Sequence, residues 1–462
     1  MNSYKPIEWN PQIIQRYDMA GPRYTSYPTA PQFRSDFSEV ALFNAISRSN
    51  KQLKPLSLYF HIPFCESLCY YCGCNKIVTP NKDRAAPYLN RLIHELEIQA
   101  DIFNSARIVK QLHWGGGTPT FISDDEMSLL MKTTRKYFNL LNNDEGEYSI
   151  EVHPGTVSTR TMTHLRKLGF NRVSMGIQDF DETVQKAVNR FNTYEEVETL
   201  VNSIRADGYK SISMDLIYGL PNQTEHSFAQ TLDKVIALSP DRLSLFNYAH
   251  MPHLFKSQQL IREEDLPSAE RKLGLLHYAI DRLQTGGYIY IGMDHFAKPT
   301  DELVIAQKEG KLQRNFQGYS THGDCDLLAF GVSAISAIDN VYMQNAKNIN
   351  EYQAKLDEGV LPYIKGFTLN KEDELRKFII NQLICHFELS FSSVEEKFSV
   401  DMQSYFAQEL EELAPMIEDG LISMDTEGIR VHNSGRMLIR RICMVFDEYL
   451  NNTKQIRYSK II

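Results

Sequence analysis

The stretch YFHIPFCESLCYYCGCNK, residues 59–76, sets Cys65, Cys69 and Cys72 in a Cys-x3-Cys-x2-Cys spacing behind a short apolar run. The run 56–61 predicts a β-strand, so the cysteines fall on the loop at its C-terminal end. Three thiolates this close can each take one iron of a cubane cluster and leave the fourth iron without a protein ligand. A zinc knot is the competing reading. Zinc normally wants four ligands, commonly as two separated pairs. Cys74 offers a fourth thiol, but four on one short loop are crowded and no second pair follows. A ligand role, a place beside the substrate and inert packing are all compatible with the position of Cys74.

Outward from this loop, β-like runs recur at 111–114, 148–152, 172–175, 211–217, 242–247 and 288–293. Amphipathic segments at 88–103, 124–138, 193–207 and 226–237 separate several of them. Strands alternating with helices imply βαβ units and a parallel sheet. About six or seven units predict an α/β fold with a partial (β/α)6-type TIM barrel. The chemically promising residues (His61, the Gly115–Thr118 turn, Glu151, Gln178 and Asp215) sit at the C-terminal ends of these runs, where βα loops converge. An N-terminal arm over residues 1–35 precedes the barrel, which is expected over 36–365. A small helical, winged-helix-like domain is expected over 366–462, with helices at 371–387, 398–420 and 434–451 around a β-like wing at 421–431.

Composition narrows the class. The chain has 462 residues, 42% of them hydrophobic and 23% charged, which is ordinary for a soluble protein. Apolar runs such as 212–220 are short and interrupted by Asp215, so a membrane span is not expected. The N-terminus lacks a basic segment followed by an apolar one, so secretion is not expected either. A net charge of -9 argues against general affinity for nucleic acid. Seven cysteines, four of them within ten residues, do not form a disulfide framework. They point to a metal site in a reducing, cytoplasmic compartment. Cys325, Cys385 and Cys443 read as small buried apolar residues.

The cysteine spacing, with Tyr71 just before Cys72, resembles the radical S-adenosylmethionine superfamily. Taken with GPRYTSYPTA (21–30), HWGGGTPT (113–120), MGIQDF (175–180), DLIYGLP (215–221), FNYAH (246–250), GMDHFA (292–297) and NFQGYSTHGDCDLLAFGVSAIS (315–336), it is similar to the oxygen-independent coproporphyrinogen III oxidase (dehydrogenase) family. The resemblance runs from about Ile7 to the C-terminus. It implies one [4Fe–4S] cluster on Cys65, Cys69 and Cys72, and two sites for S-adenosylmethionine. In that family the open iron chelates the methionine moiety, and an electron from the cluster releases a 5'-deoxyadenosyl radical. The radical takes hydrogen from a propionate carbon next to a pyrrole. Loss of CO2 and one electron then leaves a vinyl group. Two such steps, on rings A and B, turn coproporphyrinogen III into protoporphyrinogen IX. An electron donor and an acceptor are required, and the sequence names neither. Nothing calls for more than a monomer.

The resemblance assigns Tyr59, Tyr71, Gly116, Glu151, Ala249 and Ile335 to the cluster-bound S-adenosylmethionine. It assigns Gly117, Thr118, Gln178, Arg190 and Asp215 to the second molecule, and His61, Cys74, Phe316 and Gln317 to the reaction itself. The chemistry is legible: glycines let a ligand approach the backbone closely, carboxylates suit hydroxyl or ammonium groups, and a guanidinium can grip a carboxylate in two-pronged fashion. Each residue also has a plainer reading. A glycine triplet is ordinarily a turn, Glu151 and Arg190 could be an ion pair, and Tyr59, Tyr71, Ile335 and Phe316 could be core. Arg23 and Tyr24 of the arm are candidates for closing over substrate or for simple docking. His153 and Gly155 depart from the family pattern, which commonly has Asp and then a basic residue; a protonated His153 would partly restore positive charge. A heme chaperone or other heme-handling relative is the nearest alternative, but such proteins usually lack the GPRYTSYPTA arm and a cysteine at position 74. A DNA-binding iron–sulfur regulator fits poorly with an acidic chain.

Cys69→Ser is expected to abolish cluster assembly and deoxyadenosine formation together. Normal S-adenosylmethionine cleavage by the anaerobically reconstituted variant would overturn the ligand assignment.

Overall fold

The computed structural model describes residues 6–450 and 458–462. The ends of the sequence-predicted arm (1–5) and of the last predicted helix (451) lie outside them. The chain divides into two compact units. One comprises Phe33–Ser268 with Asp324–Thr368, and the other Met1–Gln32, Ala269–Gly323 and Leu369–Ile462.

The first unit is built on parallel strands: β1 Leu56–Ile62, β2 Ile108–Gly116, β3 Glu147–Val152, β4 Arg172–Gln178, β5 Ser211–Tyr218, β6 Arg242–Asn247 and β7 Asp326–Phe330. Their order is β6-β5-β4-β3-β2-β1-β7. Antiparallel strands β8 Ile335–Ile338, β9 Val341–Asn345 and β10 Tyr363–Thr368 extend the β7 side. Helices α1 Ala85–Ile102, α2 Asp124–Tyr137, α3 Thr159–Leu168, α4 Tyr194–Ala206 and α5 Glu225–Leu238 connect the strands. Ser123 and Thr193 open α2 and α4 through reciprocal capping boxes with Glu126 and Glu196.

The strands have two unlike faces. Phe60 stacks on Phe330 at 4.7 Å and meets Trp114 edge-on, and Trp114 meets Phe170 in the same way. All four are fully buried, and each burial of this size contributes roughly 2–3 kcal/mol. Alternate residues turn a polar row to the other face. Register sets Tyr59 beside His113 and His113 beside Ser149, while Glu151 faces Ser174 and Asp215 faces Gly176 and Ser244. The polar row is the inside of the partial barrel.

Three expectations need correction. The run 288–293 is not a seventh parallel strand: Ile289–Gly292 turns back at Met293 and pairs antiparallel with His295–Ala297. The seventh parallel strand is β7, which is buried along its whole length and has no helix after it. In the second unit, Lys371–His386 is helical as expected, but the helix predicted over 398–420 is three short ones, Met402–Tyr405, Ala407–Glu412 and Ala414–Glu418, and of the one predicted over 434–451 the described residues keep α-helix only at Ile439–Met444. Ser399 takes a left-handed φ of 59°, Asp401 caps a new start, and Pro415 opens the last piece. The wing is three antiparallel strands, Glu388–Ser390, Gly428–Val431 and Ile422–Met424. Within this unit the arm is tied down by Arg16 on Asp419, Arg23 on Asp294 at 2.9 Å, and Tyr24 on Asp447 at 2.9 Å. Cys385 and Cys443 are buried as expected, whereas Cys325, in the first unit, is half-buried.

One buried acid holds the β1–β7 edge. Glu95 of α1 accepts from Gly331 N at 2.8 Å, Tyr352 OH at 2.6 Å, Asn345 Nδ2 at 2.7 Å and Gln99 Nε2 at 3.2 Å. Burial nevertheless pushes its carboxyl up to about 7, above the ordinary value of 4.5. The folded chain therefore binds more protons than the unfolded one between those two values, and stability falls as pH rises through that window. The full loss is about 3 kcal/mol. Glu95→Gln has no such proton to lose. Its urea midpoint relative to the parent is expected to improve from about pH 5 to about pH 8; an unchanged difference would contradict the assignment.

Candidate active site

The cysteine loop is fastened to the end of β1 by backbone pairing. Gly117 N donates to Ile62 O and Thr118 N to Phe64 O, both at 2.8 Å. Ile77 N donates to Pro63 O at 2.7 Å and Thr79 N to Cys65 O at 2.9 Å. Tyr70 and Tyr71 pack on a buried cluster that includes Val184, Val188, Leu220 and Tyr248. Gln258 Nε2 reaches Tyr71 O at 3.0 Å, and Ser257 Oγ reaches Cys72 O at 3.1 Å. The loop is thus tied to the sheet on one side and to the 257–258 turn on the other.

Inside it lies a cavity of about 300 Å³. Cys65, Cys69 and Cys72 line it together with Cys74, Tyr71, Gly116, Gly117, Thr118, Glu151, Gln178, Arg190 and Asp215. Tyr59 and His61 stand behind that wall. Ala249 holds its carbonyl against Gln258 Nε2 at 3.3 Å, and Ile335 lies on β8 opposite Gln344. Phe316 and Gln317 belong to the other unit. There they form the turn between the strands Gln313–Asn315 and Gly318–Ser320, with Gln317 N on Asn315 Oδ1 at 2.9 Å.

The three glycines make room for three different neighbours. A Cβ on Gly115 would lie 2.9 Å from Glu151 Oε1, and one on Gly116, which has a φ of 114°, would lie 2.8 Å from the His61 ring. A Cβ on Gly117 would lie 2.7 Å from the backbone of Pro63 and Phe64. The turn thus receives a carboxylate, an imidazole and the cysteine loop in succession.

Protonation follows from the partners. His61 Nε2 faces Asn75 O at 2.9 Å; a carbonyl only accepts, so Nε2 carries the proton. Tyr59 OH then donates to Nδ1 at 3.1 Å, and burial holds His61 below the ordinary histidine range, hence neutral. Burial pushes the Glu151 carboxyl up, but the bond from His113, the charge of that ring and the Gly116 N–H outweigh it and hold Glu151 ionised. Burial raises Asp215 to about 6, although Ser244 and Ser174 hydrogen-bond to it. Cys65 is pushed up to about 11 by burial, whereas a hydrogen bond from Cys74 brings Cys72 down to about 6. His153 is corrected here. It is 8% exposed, burial and Arg190 lower it to about 3, and Nδ1 accepts from Gly155 N at 3.1 Å. His153 therefore supplies no positive charge at neutral pH.

Arg190 and Glu151 do not pair as the plainer reading allowed. Arg190 lies across Gly176, with Nε on its carbonyl at 3.1 Å and Nη1 at 3.6 Å from Cys69 Sγ. Thr118 Oγ1 points at Cys65 Sγ at 3.7 Å. The donor set suits a cluster with one open iron: four thiols line one cavity, three of them in the Cys-x3-Cys-x2-Cys spacing and the fourth, Cys74, hydrogen-bonded to Cys72. Beside it, Gln178 sits at a φ of 68°, with Oε1 buried and unpartnered. That orphan acceptor suits a ligand bearing hydroxyl or amino hydrogens. Sequence reasoning missed His113, Ser149 and Asn75. His113 stood in the quoted HWGGGTPT motif, but its partners are far along the chain.

Comparison with known proteins agrees with this geometry. The model of the radical SAM superfamily matches residues 59–235, and that of the HemN C-terminal domain matches 369–438. The oxygen-independent coproporphyrinogen III oxidase of Pseudomonas aeruginosa is 52% identical over 99% of this chain and 99% of its own length. The Escherichia coli protein of the same name is 48% identical over 100% of both. A solved structure of coproporphyrinogen III oxidase (HemN) from Escherichia coli, described as a radical SAM enzyme, superposes with a TM-score of 0.92, covering 96% of this chain and 100% of that one.

Gly117→Ala, which drives a Cβ into the Pro63–Phe64 backbone, is expected to lower both bound iron and the thermal midpoint. Gly115→Ala displaces only the end of Glu151 and is expected to keep its iron. Equal iron content in the two variants would contradict this account of the turn.

Proposed function

The chain belongs to the oxygen-independent coproporphyrinogen III oxidase family of the radical S-adenosylmethionine superfamily, and from that premise we propose how its residues serve the reaction. It is an oxidoreductase of heme biosynthesis that decarboxylates coproporphyrinogen III without oxygen. The ring A and B propionates become vinyl groups and the product is protoporphyrinogen IX. Its cofactors are a [4Fe–4S] cluster and S-adenosylmethionine. When bound, they supply a 5'-deoxyadenosyl radical able to take hydrogen from carbon too weakly acidic for any side-chain base.

The observation that carries the reading is the meeting of Cys65, Cys69 and Cys72 in one cavity with Gly116, Glu151, Arg190 and Asp215. Cys65, Cys69 and Cys72 would hold the cluster. Tyr59, Tyr71, Gly116, Glu151, Ala249 and Ile335 serve the S-adenosylmethionine at the cluster, Glu151 offering an ionised carboxylate to its hydroxyl or ammonium groups. Gly117, Thr118, Gln178, Arg190 and Asp215 serve a second molecule, for which Gln178 Oε1 is the waiting acceptor. His61, neutral and wedged against Gly116, keeps the glycine turn in place and holds a proton on Nε2 rather than donating it to the site. Cys74 lowers Cys72 toward the thiolate that iron requires. Phe316 and Gln317 serve the substrate by the family resemblance. The reading includes a cytoplasmic monomer in a reducing compartment, with an electron donor and an electron acceptor supplied by other molecules.

Anaerobic protein given S-adenosylmethionine, a reductant and coproporphyrinogen III is expected to yield a product lighter by two CO2 and four hydrogen atoms. A parallel incubation with heme tests the heme-handling alternative. Heme binding without any decarboxylation would overturn the proposal.

A further inference from the structure

His113 is the inner-face residue whose contacts the reaction has not yet used. Its ring lies parallel to Tyr59, 5.8 Å between centroids and 10° between planes, in the middle of the polar row. Nδ1 lies 2.5 Å from Ser149 Oγ, and Nε2 lies 3.1 Å from Glu151 Oε1. The other oxygen, Oε2, accepts from Gly116 N at 3.2 Å, while the bare Cα of Gly115 leaves space for the carboxylate. A carboxylate only accepts, so the proton between His113 and Glu151 belongs to Nε2. Ser149 holds the opposite edge of the ring and Tyr59 covers its face.

We infer that His113, steadied by Ser149 and Tyr59, is a positioning residue that aims the Glu151 carboxylate at the cofactor in the cavity. The inference rests on the reading of Glu151 as a contact of S-adenosylmethionine. A glutamate side chain has three rotatable bonds, and here it must present its charge at the mouth of a glycine turn. Two donors from one strand, one to each oxygen, fix it there. His113 comes from the middle of β2 and Gly116 from its end, so the spacing along one strand sets the carboxylate's tilt. Partners that orient a liganding group in this way typically change affinity by about tenfold to a hundredfold when lost.

The test compares His113→Phe, His113→Gln, Ser149→Ala and Glu151→Ala in the iron-loaded protein without substrate. Iron content and the affinity for S-adenosylmethionine, by anaerobic equilibrium dialysis, are measured for each. His113→Phe keeps the ring against Tyr59 but removes the donor, and is expected to weaken binding about tenfold with iron unchanged. His113→Gln restores an N–H near the position of Nε2 and is expected to recover most of the affinity. In the parent protein, nitrogen NMR of labelled histidine is expected to show His113 protonated at Nε2, with that signal broadened or shifted in Ser149→Ala. A bare Nε2, or a His113→Phe variant that binds as tightly as the parent while Glu151→Ala does not, would overturn the inference. If Glu151→Ala itself binds normally, the cofactor reading of Glu151 fails instead.

Discussion

Two backbone hydrogen bonds, Gly117 N to Ile62 O and Thr118 N to Phe64 O, decide where the thiols stand. They carry the pairing of β1 and β2 beyond the strands themselves, so the loop with Cys65 leaves the sheet already held. Only glycine at 117 allows it, because any Cβ there would occupy the space of the Pro63–Phe64 backbone. The next links follow: Ile77 and Thr79 pair with Pro63 and Cys65, and Tyr70 N reaches Val188 O at 3.0 Å. The cysteines are thus set by main-chain geometry, with side chains left to tune them. A cluster with one open iron needs this.

Charges of both signs meet inside the cavity. The chain carries a net charge of -9, yet an arginine stands beside Cys69, and two histidines of the site, His61 and His153, are neutral. Neutral imidazoles leave Arg190 as a local positive charge beside sulfur. Lys76 adds another, its Nζ on Cys72 O at 2.8 Å. Two carboxylates at different settings oppose them: Glu151 held ionised by its donors, and Asp215 raised to about 6 by burial. Groups that titrate apart in one cavity can do different work at one pH.

Much of the fold was legible because parallel strands with helical crossovers leave a strong rhythm. Strands β1 to β6 start and end within about three residues of the sequence reading, and α2, α4 and α5 within two. β7 escaped that rhythm, since a continuously buried strand without a following helix has no period to detect. The break at Ser399 escaped because serine, unlike glycine, does not advertise a left-handed residue. The cysteines and the glycine turn were legible because their spacing is local. His113 was not, for its partners Ser149 and Glu151 lie 36 and 38 residues away, joined to it only by strand register.

The division of the sheet into two faces also separates stability from chemistry. Phe60, Trp114, Phe170 and Phe330 give the outer face a close-packed aromatic layer. The inner face runs the other way. Gln178 is held at a left-handed φ of 68° with a buried acceptor unpaired, an arrangement that costs on the order of 1–3 kcal/mol. Arg190, half-buried and pressed across Gly176, holds its guanidinium against a carbonyl and a thiol. Such groups persist only because the opposite face over-determines the strands that hold them. Seen this way, the unfavourable contacts at the end of β4 mark the place where a ligand completes the fold, since a hydroxyl or amino group bound there would satisfy an acceptor that no protein group reaches.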